Sequence, residues 1–260
     1  MLGILGIGKM GYLLAKSLTD SKLYNKKDVF LGVRNSKKKM DLEHEGFKVT
    51  LDLNTLMLKS DTIIIAIKPQ NLDEIIPFIS KIDFKGKCVI SIMASISIDY
   101  LKTVFKNAYI YRAMPNLAIE YKESNTTIAF DDIKYLNDVT KIFESLGKVY
   151  VVKEVEMNAL TPINGSMVAF LAIFVRDFVN EVNKSGLGYE FLKRVTLESV
   201  SSASNLLLKS KDSIDDIIND VCSKGGVTIA GVSELYKNGF DDSIKACYEA
   251  SFRRLKELTK

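Results

Sequence analysis

The sequence predicts an α/β chain, with a doubly wound parallel sheet in the first half and an all-helical second half. Three observations carry that expectation. Short apolar runs rich in β-branched residues alternate with segments of helical spacing through roughly the first 150 residues. A glycine cluster stands between the first such run and the first helical segment. Beyond about residue 155 the β-type runs stop and long apolar segments of helical character take over.

The elements follow in order. Leu2 to Leu5 is a short apolar run closed by glycine, and Lys9 to Thr19 places Met10, Leu13, Leu14 and Leu18 on one helical face. Val29 to Val33 is a strand candidate. Asn54 to Lys59 and Leu72 to Ile79 are helix candidates. Ile63 to Ile67 is a continuous run suited to a strand buried on both faces, ending at Lys68-Pro69. Cys88 to Met93 and Tyr109 to Met114 read as further buried strands, the second stopped by Pro115. Val155 to Val182 is long and apolar, and Tyr189 to Leu208, Ser213 to Cys222, Val227 to Lys237 and Ser243 to Leu258 read as helices. Ser213 followed by Asp216 is a capping box with Asp in place of Glu. The expected division is into residues 1–155 and 156–260, without repeats or a low-complexity linker.

Composition narrows the function. With 260 residues, 47% hydrophobic and 26% charged, the chain has ordinary globular composition. A net charge of +4 is too small for a nucleic-acid binder, and it suits an anionic small molecule. Cys88, Cys222 and Cys247 lie far apart without a Cys-x-x-Cys pair, which argues against a disulfide framework or a metal site and for a reducing compartment. No basic segment precedes an apolar stretch at the start, so a cytoplasmic location is expected. The longest apolar run, Met167 to Val175, has nine residues, whereas crossing a bilayer takes about 20. It is expected to be a buried helix segment, with no membrane partner. The one histidine, His44, lies in a charged stretch and reads as a surface residue, so the chemistry is expected to work without a histidine base.

Gly6-Ile7-Gly8-Lys9-Met10-Gly11 is G-x-G-x-x-G between a strand candidate and a helix candidate, the context of a dinucleotide-binding, Rossmann-type turn. Gly6 permits the tight turn, Gly8 lets backbone approach a pyrophosphate, and Gly11 lets helix and strand pack closely. Lys9 and Met10 open the helix whose free N–H groups would meet the phosphates. Gly3 to Lys9 also matches G-x-x-x-x-G-K of a triphosphate loop. Met10 stands where that loop needs Ser or Thr, and only two residues precede Gly3. Past the second strand candidate no acid stands ready for a ribose 2′-hydroxyl. Arg34, Asn35, Ser36 and Lys37 instead offer donors and positive charge for a 2′-phosphate, favouring NADP and leaving NAD as the alternative.

From here the chain resembles pyrroline-5-carboxylate reductase over nearly its whole length. Residues Ile4 to Gly11 resemble that family's N-terminal fingerprint. Asn54 matches an asparagine placed near the cofactor, and Ala66-Ile67-Lys68-Pro69-Gln70 resembles a Val-Lys-Pro-Gln strand end. Ser91 to Ser97, with Ala94, resembles the next strand end, and Arg112-Ala113-Met114-Pro115-Asn116 resembles an Arg-x-Met-Pro-Asn segment. Ser223-Lys224-Gly225-Gly226-Val227-Thr228 resembles the start of a Ser-Pro-Gly-Gly-x-Thr loop, and Glu249-Ala250 with Arg253 and Arg254 resembles the family's close.

The resemblance implies reduction of a cyclic imine, 1-pyrroline-5-carboxylate, to L-proline by hydride from NAD(P)H. It implies Ala66, Lys68, Pro69 and Ala94 beside the cofactor. It implies Met114, Asn116, Ser166, Ser223, Gly225, Gly226 and Thr228 beside the substrate, with Thr228 near the imine nitrogen as the catalytic residue. It further implies an all-helical dimerisation domain, a homodimer and a higher oligomer of dimers as an alternative. The residues also fit this chemistry directly. A protonated imine is already electrophilic and needs no metal, and the Gly225-Gly226 turn before a helix can present N–H groups to a carboxylate. Read without the resemblance, Gly225-Gly226 is a helix-to-helix turn and Thr228 a helix N-cap. The sequence departs from the family pattern at Leu117-Ala118, Ala94-Ser95, Met167-Val168 and Lys224. The alternatives are therefore a paralogue acting on another imine, or one binding NADP(H) in a regulatory role without turnover.

Overall fold

The computed structural model describes residues 1–259. It divides into two compact units, Met1–Ser166 together with the C-terminal residues from Ser251, and Met167–Ala250.

The first unit is a doubly wound sheet, as the alternation predicts. Its strands are β1 (Leu2–Leu5), β2 (Val29–Gly32), β3 (Lys48–Thr50), β4 (Thr62–Ile65), β5 (Cys88–Ser91), β6 (Tyr109–Met114), β7 (Ser124–Phe130) and β8 (Gly147–Val151). They lie in the order β3-β2-β1-β4-β5-β6-β7-β8. β3 through β6 run parallel; β7 turns antiparallel to β6, and β8 runs parallel to β7. The order therefore reverses between β1 and β4, the switch point at which such sheets open a ligand crevice at their carboxyl ends.

Helices α1 (Lys9–Asp20), α2 (Ser36–His44), α3 (Leu53–Lys59), α4 (Leu72–Ile79), α5 (Ile98–Val104), α6 (Leu136–Glu144) and α7 (Glu154–Asn164) complete this unit. Period-2 alternation along the strands feeds two separate cores. Ile4, Leu31, Ile64, Ile90 and Tyr111 point into one, with Leu14 and Leu18 of α1 and Phe143 of α6. Ile63, Ile65, Val89 and Ile110 point into the other, with Ile79 of α4, Leu101 of α5 and Met157 of α7. Each such side chain, fully buried, contributes about 1.5–3 kcal/mol. The expected buried strand within Ile63 to Ile67 is thus found, although its ladder stops at Ile65 and Pro69 opens a 3₁₀ turn.

The second unit comprises α8 (Met167–Asn183), α9 (Tyr189–Lys209), α10 (Ile214–Val221), α11 (Val227–Lys237) and most of α12 (Phe240–Leu258). The capping box forms as read: Ser213 Oγ accepts from Asp216 N at 3.1 Å, and Asp216 accepts from Ser213 N at 3.3 Å. One expectation fails here. The run Met167 to Val175 was expected to be buried, yet Met167, Val168, Ile173 and Phe174 are exposed. Only Val175, Val179 and Leu192 form a buried apolar cluster between α8 and α9. A helical unit that buries so little has not satisfied its apolar surface within one chain. The stretch Glu154–Asn183, broken at Gly165–Ser166, is also long and apolar enough by length and composition to cross a membrane.

The expected boundary at 155/156 falls in the first turn of α7, a helix that clusters with the first unit. His44 is the exposed last residue of α2.

Candidate active site

The glycine turn joins β1 to α1 at the carboxyl edge. Gly6 has φ +93°, and a Cβ there would stand 2.6 Å from Ile67 Cγ2 and 2.8 Å from the Ala66 carbonyl. A Cβ on Gly11 would fall on the Gly6 carbonyl oxygen. Both positions are therefore closed to other residues by the fold itself. Gly8 differs. It is exposed, and a Cβ there would meet no atom within 4 Å. Gly8 is the N-cap of α1 and no side chain caps the helix, so the first-turn N–H groups, those of Lys9 and Met10 among them, face open space. The turn has the form of an anion cradle: positive helix end, bare backbone and no side chain in the way.

Arg34, Asn35, Ser36 and Lys37 are all exposed where β2 passes into α2. Asn35 is the N-cap of α2, its Oδ1 accepting from Lys38 N at 2.8 Å, so its side chain is engaged locally. Arg34 Nη2 stands 3.2 Å from Glu74 Oε2 of α4. Lys38 donates from Nζ to the Ile7 carbonyl and ties α2 to the glycine turn. Nothing in the sequence signals the Glu74 contact, because it joins elements of two different crossovers.

The other first-unit residues lie at the same carboxyl edge. Asn54 is exposed at the start of α3, its N–H donating to Asp52 Oδ1 at 3.1 Å. Ala66, Lys68 and Pro69 follow β4, with Ala66 N donating to Leu5 O at 2.8 Å. Ala94 follows β5, and its carbonyl accepts from Ser95 Oγ at 2.5 Å. Ser95 is 1% exposed with φ +65°, a left-handed backbone. Met114 ends β6 and is buried. Asn116 is used by the fold: Oδ1 accepts from Ala118 N at 2.9 Å, and Nδ2 donates to the Asn164 carbonyl at 3.0 Å. That second bond holds the end of α7, two residues before Ser166, which is half-buried.

Sequence reasoning named Arg112 only as part of a motif and missed Glu154. Arg112 is 2% exposed; its Nη1 donates to Glu154 Oε1 at 2.7 Å and to Asn158 Oδ1 at 3.3 Å. Glu154 Oε1 also accepts from Ile98 N at 2.8 Å, the first residue of α5. The segment from Arg112 to Asn116 therefore grips α7 at both its ends.

In the second unit, Ser223, Gly225, Gly226 and Thr228 fall in one turn leading into α11. Gly225 has φ +75°, which the turn requires, and a Cβ on Gly226 would stand 2.6 Å from Ser223 Oγ and 3.0 Å from the Ser223 carbonyl oxygen. Gly226, not Thr228, is the N-cap, and no side chain caps the helix. Thr228 is exposed in the first turn of α11, whose N–H groups no side chain caps. Among the described residues no group of three His, Cys, Asp or Glu side chains could hold a metal ion.

Comparison with known proteins agrees with this layout. Residues 154–258 match the family profile described as pyrroline-5-carboxylate reductase dimerisation, and residues 1–95 match one described as NADP oxidoreductase coenzyme F420-dependent. The chain is 29% identical to a pyrroline-5-carboxylate reductase of Synechocystis, covering 100% of this chain and 98% of that one. It is 28% identical to that of Aquifex aeolicus, covering 98% and 96%. Among solved structures it is similar to a Plasmodium falciparum pyrroline carboxylate reductase with NADP bound, with TM-score 0.89 and 25% identity over 100% of this chain and 98% of that one. The dimerisation profile over residues 154–258 and the relatives matched end to end agree: the chain is similar throughout its length to pyrroline-5-carboxylate reductases.

Proposed function

We propose that the chain reduces 1-pyrroline-5-carboxylate to L-proline, with NADPH as the preferred cofactor and NADH as the weaker one. The observation that carries the reading is the open glycine cradle at the switch point of the sheet, in one chain with a glycine turn opening α11. When bound, the dinucleotide supplies the hydride that C5 of the imine receives.

The chain's own residues then bind, orient and exclude water. Gly8, Lys9 and Met10 present backbone N–H groups to the pyrophosphate, with Gly6 and Gly11 shaping the turn. Arg34, Ser36 and Lys37, with Asn35 as their helix cap, receive the 2′-phosphate; the guanidinium offers a planar fork for it. Asn54, Ala66, Lys68, Pro69 and Ala94 line the path along the carboxyl edge. The residues present thus fit the cofactor on geometric grounds, since the cradle is bare where phosphate must approach.

Ser223, Gly225 and Gly226 shape the turn at the N-terminal end of α11, with the Gly226 N–H donating to the Ser223 carbonyl at 2.9 Å, and the uncapped first turn of α11 offers N–H groups and partial positive charge to the substrate carboxylate. Thr228 sits in that first turn, its hydroxyl available to hydrogen-bond the imine nitrogen as C5 is reduced. In the first unit, Met114, Asn116 and Ser166 are the further residues we assign to the substrate; the Asn116 side chain acts by holding Asn164. The exposed apolar faces of α8 to α12 are covered by a second copy of the chain, as a homodimer or an assembly of dimers. The three cysteines form no disulfide, which suits the reducing cytoplasm.

Steady-state oxidation of NADPH and of NADH by the purified protein, with 1-pyrroline-5-carboxylate, tests the reading. Saturable turnover with higher kcat/KM for NADPH is expected. NADPH binding without turnover would overturn it and make Leu117, Met167, Val168 and Lys224 the residues to revert.

A further inference from the structure

Arg34 follows β2, and Glu74 lies in the first turn of α4, which follows β4. β2 and β4 are the two neighbours of β1. Their ion pair, Nη2 to Oε2 at 3.2 Å, therefore reaches across the carboxyl end of β1, over the crevice that the glycine turn opens. Asn71, in the connection to α4 and turned with its amide oxygen toward Arg34, accepts from Nη1 at 3.3 Å and from Nη2 at 2.9 Å. Two acceptors from the β4 side thus hold one exposed guanidinium from the β2 side.

We infer that Glu74 is a specificity-determining residue that latches Arg34 across the crevice and competes with the cofactor's 2′-phosphate for it. The inference rests on the reading that Arg34 receives that phosphate. Glu74 and the phosphate are both anions seeking the same guanidinium. When the phosphate arrives, Glu74 either leaves Nη2 or stays beside a second negative charge, and both weaken binding. A ribose with a free 2′-hydroxyl carries no such charge and meets no such competition. Glu74 thereby narrows the gap between phosphorylated and unphosphorylated cofactors that Arg34 opens. The pair is exposed on both sides, so its effect is screened by salt.

The test uses two probes that differ only in the 2′-phosphate, 2′,5′-ADP and 5′-AMP, titrated calorimetrically against the full chain, Glu74→Gln and Arg34→Gln. Glu74→Gln keeps the shape and removes the charge. It is expected to tighten 2′,5′-ADP about three- to tenfold at low salt, with the gain shrinking as ionic strength rises, and to change 5′-AMP by less than about twofold. Unchanged or weakened 2′,5′-ADP binding in Glu74→Gln would overturn the inference. Arg34→Gln is expected to weaken 2′,5′-ADP alone. If it weakens neither probe, the assignment of Arg34 falls, and the latch with it. If Arg34→Gln weakens 2′,5′-ADP while Glu74→Gln changes nothing, the latch alone falls.

Discussion

Gly8→Ala separates fold from function within the glycine turn. Gly8 has φ −79° and ψ −161°, extended backbone open to any residue, and an added Cβ meets nothing within 4 Å. Two small effects oppose each other. Alanine is a poorer N-cap than glycine, and it also restricts the unfolded chain, which favours the folded one by about 0.4–1 kcal/mol. Net stability should stay within about 1 kcal/mol, a shift in melting temperature below about 4 °C. The new methyl, however, occupies the face by which phosphate reaches the N–H groups of α1. Losing one hydrogen bond to a charged group costs about 1.5–3 kcal/mol, or roughly 10- to 150-fold in affinity. Gly6→Ala provides the contrast: with φ +93° and a Cβ 2.8 Å from the Ala66 carbonyl, it should damage the fold itself. Melting without ligand and fluorescence titration with NADPH measure the two quantities. Wild-type NADPH affinity in a normally folded Gly8→Ala protein would refute the reasoning, because no phosphate could then pass at Gly8.

Three further outcomes are expected. Thr228→Ala should lower kcat by roughly 10- to 150-fold, the equivalent of one hydrogen bond to a charged reacting group, and leave the NADPH dissociation constant unchanged in a fluorescence titration. Ser95→Gly should raise stability by about 0.5–1 kcal/mol in urea unfolding, since relief of the left-handed backbone at φ +65° outweighs the added freedom of the unfolded chain. Glu154→Ala should cost about 3–5 kcal/mol in the same assay by leaving the Arg112 charge buried without its counter-ion. Glu154→Gln, which still accepts a hydrogen bond, should cost less.

The parts of the fold that were legible in the sequence are those whose burial and periodicity agree. β4, β5 and β6 are largely apolar runs buried on both faces, with Arg112 the charged exception in β6, and α4 carries Leu72, Ile75 and Ile79 on one side. α2 escaped because only Leu42 of its residues is buried, so no apolar stripe marks it. β7 escaped because three of its five buried residues are polar. Ser124, Thr126 and Thr127 are all at most 1% exposed, and Ser124 Oγ meets Thr126 Oγ1 at 3.2 Å and Asn116 N at 3.1 Å. A run such as Asn125-Thr126-Thr127 carries no hydrophobic signal; inside the sheet the Thr126 hydroxyl pairs with Ser124, whereas the buried Thr127 hydroxyl has no partner. α6, by contrast, had a readable apolar face in Val139, Ile142 and Phe143 that the sequence reading passed over.

The candidate site divides in the same way. Gly6, Gly11 and Gly225 were legible because local geometry demands glycine there: a left-handed backbone at Gly6 and Gly225, and the Gly6 carbonyl against Gly11. Glu74 against Arg34, Asn116 against Asn164, and Glu154 against Arg112 were not, because each joins residues far apart in sequence through topology alone. The exposure of α8 was misread for a related reason: apolar composition reveals that a face seeks cover, not which chain supplies it.

The measurement closest to the central claim follows the hydrogen itself. Wild-type protein is given NADPH deuterated at the transferable position of the nicotinamide, together with 1-pyrroline-5-carboxylate, and the product is examined by mass spectrometry and NMR. The account predicts L-proline carrying one deuterium at C5, formed in step with NADPH oxidation. Proline without deuterium at C5, or NADPH bound with no proline formed, would contradict it.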